Sequence, residues 1–184
     1  MTDQVEMMEV TNTESNMKLY TISTSDNIEY KIPDNYVKQC GTLKNMLEDI
    51  PDTNDAIPLP NVNSKVMPYL MKYWEQHKDD PIAPPKEVEE KPQQKDTTME
   101  PWDEAYANDF SETEEGKLAL AQEVLLAANY LDCKALLELL CKRFALIIKG
   151  KTPEQIRLIF NIENDFTPEE EEQVRKENAW CEEK

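Results

Sequence analysis

The chain has 184 residues, enough for one ordinary domain with appended segments and too few for two full ones. With 38 acidic residues against 20 basic ones its net charge is -18, which disfavours phosphate contacts and argues against nucleic acid or an anionic membrane as partner. The four cysteines, Cys40, Cys133, Cys141 and Cys181, are scattered without a C-x-x-C pair and accompany one histidine, His77, so neither a zinc site nor a disulfide framework is expected. The acidic N-terminus has no apolar h-region, and no apolar run approaches the roughly 20 residues of a membrane span. A reduced, soluble protein of the cytoplasm and nucleus is the expectation, without metal or cofactor.

Residues 1–16 are polar and aperiodic, which predicts a disordered arm, with order from Met17. In "MKLYTISTSDNIEYKI" apolar and polar residues partly alternate on either side of Ser25, Asp26 and Asn27, the pattern of two short strands and a turn in which Asn27 tolerates the left-handed conformation. "VKQCGTLKNMLEDI" predicts a helix with Val37, Leu43, Met46 and Leu47 inward, shortened or broken by Gly41. The proline-bounded "AIPLP" suits a third strand at an edge or end. Asn63 is then an N-cap for "SKVMPYLMKYWEQH", which places Val66, Leu70, Tyr73, Trp74 and His77 on one face, and Pro68 predicts a late start or a kink. Residues 78–101, with 5 prolines and 11 charges, are expected to be a mobile loop.

The helical half is expected from about Glu114, through "KLALAQEVLLAANYL" and "CKALLELLCKRFALIIKG", with Gly150 as a C-terminal stop. Two capping boxes follow, Thr152-Pro153-Glu154-Gln155 and Thr167-Pro168-Glu169-Glu170. Glutamates 169–172 fall in a first turn, where the helix dipole favours negative charge, and Arg175 and Lys176 lie toward the other end.

At about 100° per residue, Leu136, Leu137, Leu140, Cys141, Phe144, Ile147 and Ile148 cover one broad arc, which Leu139 and Leu146 extend beyond Arg143. That arc is wider than one packing face needs, so either one side is left for a partner or both sides enter the same core. The last helix has the opposite character. Between Pro168 and Trp180 its only large apolar residues are Val174 and Trp180, too few to dock firmly, so Trp180 is either an anchor for another chain or an exposed residue near a frayed end.

"PLPNVN", "HKDDP", "LAANYLD", "IKGKTPEQIR" and the run from "FNIENDFTPEEEEQVRKEN" to "WCEEK" resemble the Skp family, the S-phase-kinase-associated adaptors of SCF ubiquitin ligases, over residues 17–184. The resemblance implies an α/β (α+β) fold. A BTB/POZ-type domain at 17–148, a small three-stranded sheet covered by helices, precedes an F-box-binding helical extension at 149–184. It further implies an adaptor that joins the N-terminal domain of a cullin to F-box proteins. Asn129 and Tyr130 match the cullin-facing pair. Leu137, Cys141, Phe144, Ile148, Phe160, Ile162 and Trp180 fall in the F-box-facing segments. Weak self-association is expected when no F-box is present. Ala121 and Gln122 replace a bulky apolar pair, which implies a narrowed or shifted F-box repertoire, and Pro68 interrupts a normally continuous helix, which implies altered geometry near the cullin side.

An enzyme would need converging reactive groups, and the sequence offers one histidine and no glycine-rich phosphate loop among Gly41, Gly116 and Gly150. His77 on an apolar face suits packing, as do Cys133 and Cys141, and no RING-type ligand set is present. A second non-enzymatic reading is a BTB-like self-associating scaffold or an acidic binding module without a ligase role. Acidity permits it but leaves Trp180 and the wide apolar arc unexplained.

Overall fold

A computed structural model describes residues 18–49, 55–81, 99–110 and 116–178. The N-terminal arm, most of the 78–101 loop, and Trp180 and Cys181 lie outside the described residues. Strands β1 (Leu19–Thr24), β2 (Glu29–Pro33) and β3 (Ile57–Leu59) form a sheet of order β2-β1-β3. β1 pairs antiparallel with β2, Ile22 opposite Tyr30, and parallel with β3, Ile22 opposite Ile57. The turn between β1 and β2 is held at both ends. Asn27 takes the left-handed φ of 60°. The Asp26 carboxylate accepts from the Ser64 amide at 3.0 Å and from the Ser64 hydroxyl, tying the turn to the segment that follows β3.

The helix expected around Gly41 is two, α1 (Asp34–Val37) and α2 (Gly41–Asp49). Gly41 opens the second one, and a Cβ there would meet the Asp132 side chain. Val37, Leu43 and Leu47 are buried, and Met46 is half-buried. α3 (Met67–Gln76) starts late, as Pro68 requires: the proline sits in the first turn, where its missing N–H is not needed, and the helix has no interruption. Asn63 caps the preceding turn instead, its Oδ1 accepting from the Val66 amide at 3.1 Å.

A helix absent from the sequence expectation, α4 (Pro101–Asn108), follows the loop. Its signal was available: Pro101 at the first helical position, Asp103 and Glu104 in the first turn, and aromatics Trp102, Tyr106 and Phe110 spaced by four. Those rings build a layer over α3. Trp102 stacks on Tyr106 at 5.3 Å between centroids, and Tyr73 lies 5.7 Å from Tyr106. Burial pushes the Tyr73 and Tyr106 hydroxyls up from their ordinary range, and Tyr106 donates to the Tyr69 carbonyl at 3.1 Å. His77 fastens the far end, with Nδ1 2.6 Å from Asp80 Oδ2 and Nε2 3.0 Å from Asp103 Oδ1. The packing role expected for His77 is therefore what its neighbours give it.

α5 (Lys117–Tyr130) and α6 (Lys134–Ile148) pack against each other and close the core. Ile22, Ile32 and Leu59 from the sheet, Leu70 and Trp74 from α3, Val124 and Ala128 from α5, and Leu136 and Leu140 from α6 belong to one cluster, all fully buried. α7 (Pro153–Phe160) and α8 (Pro168–Glu177) follow beyond Gly150, whose φ of 72° ends α6. The result is the mixed α/β fold with a three-stranded sheet and appended C-terminal helices. Among the described residues no helix is long and apolar enough to cross a membrane.

Candidate partner-binding surfaces

α6 resolves the ambiguity of its wide arc. Leu136, Leu139, Leu140 and Ile147 enter the core, whereas Leu137 and Phe144 are half-buried and Cys141 and Ile148 exposed. Positions 137, 141, 144 and 148 recur at spacings of four, three and four, which sets them on one stripe along the helix. The stripe continues onto α7, where Phe160 approaches Phe144 with ring centroids 6.0 Å apart. Beyond it Asn161 takes a left-handed φ of 51°, and the Ile162 amide donates to the Arg157 carbonyl at 2.8 Å. This closing turn leaves Ile162 54 % exposed. Six of the seven F-box-facing candidates are thus placed. Trp180 lies outside the described residues.

Both capping boxes form. Thr152 and Thr167 each accept from the amide three residues on at 3.3 Å, and Gln155 and Glu170 each reach back to the threonine amide at 2.9 Å. The Thr167 amide, aided by its hydroxyl, holds the Glu170 carboxyl below its ordinary range. Yet neither α7 nor α8 has a buried residue. Long ion pairs at 3.8 Å, Arg157 with Glu171 and Arg175 with Glu154, and Arg157 over the Phe166 ring at 5.7 Å join the two helices. A cleft of about 900 Å³ opens between them, lined by Lys151, Thr152, Arg157, Phe166, Val174 and Arg175. The Arg175–Glu154 pair is exposed, the Arg157–Glu171 pair is partly buried, and neither is close, so the helices are well started and weakly seated. Leu158, 81 % exposed, and Phe166, 45 % exposed, add apolar surface that the sequence reading missed. An i, i+4 relation between Leu158 and Ile162 was the available hint.

The other candidate pair ends α5. Asn129 is exposed and Tyr130 half-buried, with the Tyr130 carbonyl accepting from the Thr42 hydroxyl at 2.9 Å. Leu126, 64 % exposed and one turn earlier, shares their face and was also missed. Asn63 donates to Glu123 at 2.9 Å and ties the β3–α3 connection to the same helix. Ala121 is buried in the core, and Gln122 is exposed on the α5 face of Leu126 and Asn129. One expectation requires correction here, that of an interrupted α3. Pro68 lies in the first turn of α3 and does not interrupt it.

The model for the Skp1 family, tetramerisation domain, matches residues 18–79, and that for the Skp1 family, dimerisation domain, matches residues 134–181. The chain is 44 % identical to the "E3 ubiquitin ligase complex SCF subunit sconC" of Arthroderma benhamiae, over 89 % of this chain and 94 % of that protein. It is 44 % identical to the "SCF ubiquitin ligase complex protein SKP1a" of Dictyostelium discoideum, over 91 % of this chain and 98 % of that protein. The sconC protein of Neosartorya fischeri is 42 % identical over 91 % of this chain and its own full length. With identity of that level over some nine-tenths of the chain, and family models matching both the sheet domain and the C-terminal helices, the chain belongs to the Skp1 family.

Proposed function

We propose that the chain is a non-catalytic adaptor of an SCF-type E3 ubiquitin ligase, holding the N-terminal domain of a cullin at the end of α5 and an F-box protein on α6 to α8. The observation that carries this reading is the division of α6. One side is buried, and the stripe of Leu137 and Phe144, half-buried at the core's edge, with exposed Cys141 and Ile148 lies beside two capped helices that bury none of their own residues. Such a surface suits another helical chain, and the names of the relatives place those proteins in SCF complexes. Asn129 and Tyr130, with Leu126, take the cullin side, and Phe160, Ile162 and Trp180 complete the F-box side. In this reading ubiquitin transfer belongs to the partners, and the adaptor contributes proximity of substrate and charged conjugating enzyme. It works in the cytoplasm and nucleus, and the same stripe sustains weak self-association when no F-box is bound.

Co-expression with an F-box segment and a cullin N-terminal domain, followed by size exclusion with light scattering, tests it. A 1:1:1 complex is expected. A self-associated species that neither partner dissociates would replace the adaptor reading with the scaffold one.

A further inference from the structure

Two cysteines that the partner surfaces do not use face each other inside the core. Cys40 and Cys133 are 0 % and 2 % exposed, and their sulfurs lie 2.9 Å apart although the residues are 93 apart in sequence. Cys40 ends the α1–α2 junction, and Cys133 is the N-cap of α6. The backbone around them is already joined. The Gly41 amide donates to the Asp132 carbonyl at 3.4 Å and the Thr42 amide to the Leu131 carbonyl at 3.2 Å. The left-handed φ of 53° at Asp132 sharpens the turn that brings Cys133 inward.

We propose that Cys40 and Cys133 form an oxidisable pair, a site of reversible disulfide formation that covalently joins the α1–α2 junction to the α5–α6 turn. Bonded sulfurs sit at about 2.05 Å, so closure asks for a relative movement of less than about 1 Å. A peroxide is the class of oxidant the site admits, since the sulfurs are buried and only a small molecule reaches them during local opening. Attack of one sulfur on hydrogen peroxide gives a sulfenic acid and one water. The second thiol displaces the hydroxyl as a second water and forms the S–S bond. The thiols lose two protons and two electrons, and the peroxide is reduced to two waters. Burial pushes the Cys40 thiol well up, so oxidation is slow at neutral pH and quickens as pH rises, while proximity decides which sulfurs join. Cys141, exposed on α6, stands as the internal control.

The test uses the full folded chain, treated with hydrogen peroxide, alkylated in denaturant and digested with trypsin without reductant. Residues 39–44 should be recovered joined to residues 118–134, two hydrogens lighter than their sum and separable by dithiothreitol. The thermal midpoint should rise by roughly 5 °C or more, because the link restrains the unfolded chain over a long loop. Cys141→Ser should keep the link, and Cys40→Ala or Cys133→Ala should lose both the link and the rise. Recovery of Cys40 and Cys133 as alkylated or sulfinic species, or joined instead to Cys141 or Cys181, would overturn the proposal. Peptide mapping of the unsubstituted chain decides even if a variant does not fold.

Discussion

Asp26 shows how one exposed side chain can position two elements. Its carboxylate takes hydrogen bonds from Ser64 first and Thr24 second, and these hold its pKa at about 2. Since the folded value lies below the unfolded one of about 3.9, the contribution is complete above pH 4 and is lost as pH falls toward 2. The carboxyl carbon of Asp26 should therefore titrate in the folded protein with a midpoint near 2 by NMR, and Ser64→Ala should move that midpoint up. An unmoved midpoint in the variant would mean that Ser64 is not the chief partner. The acid side of the stability curve should also flatten in Asp26→Asn, a group that cannot titrate.

At the scale of elements, local chemistry was the most legible part of the sequence. The capping boxes at Thr152 and Thr167, the left-handed Asn27, the edge strand at Ile57 and the late start of α3 all follow from residues within four positions of one another. What was not legible depended on distant partners. Gly41 opens a helix beside Asp132, far along the chain, whose carbonyl accepts from the Gly41 amide and whose side chain a Cβ there would meet. α4 is held by an aromatic layer whose other half is α3, so its own short sequence carries a weaker signal than the proline-rich stretch before it. The candidate site divides in the same way: the α6 arc was visible, and which half of it is buried required the fold. α8 is the clearest case of an element with local stability and little tertiary support. Thr167→Ala should cost about 1 kcal/mol of helix stability there. Amide exchange should quicken across residues 168–177 while the global thermal midpoint stays unchanged, because α8 contributes no buried residue. A fall in the global midpoint would instead place α8 in the cooperative core.

For the whole molecule, the informative property is the placement of the two candidate surfaces on consecutive helices that share one core. α5 ends at Asn129 and Tyr130, a tight turn intervenes, and α6 begins the stripe that runs from Leu137 to Ile148. A rigid core beneath both lets each surface be altered alone. Ile148 is 42 % exposed, so Ile148→Asp should change stability by no more than about 0.5 kcal/mol. It should nevertheless weaken F-box binding at least tenfold, about 1.4 kcal/mol, since a charge then replaces an apolar contact on the stripe. Cullin binding should be unaffected. Tyr130→Lys should show the opposite pattern, losing the cullin and keeping the F-box, with the Thr42 bond preserved because it uses the Tyr130 carbonyl. Calorimetry with each partner separately measures all four combinations. Loss of both partners in either variant, accompanied by a lower thermal midpoint, would indicate damage to the shared core, whereas loss of both at an unchanged midpoint would mean that the two surfaces act as one.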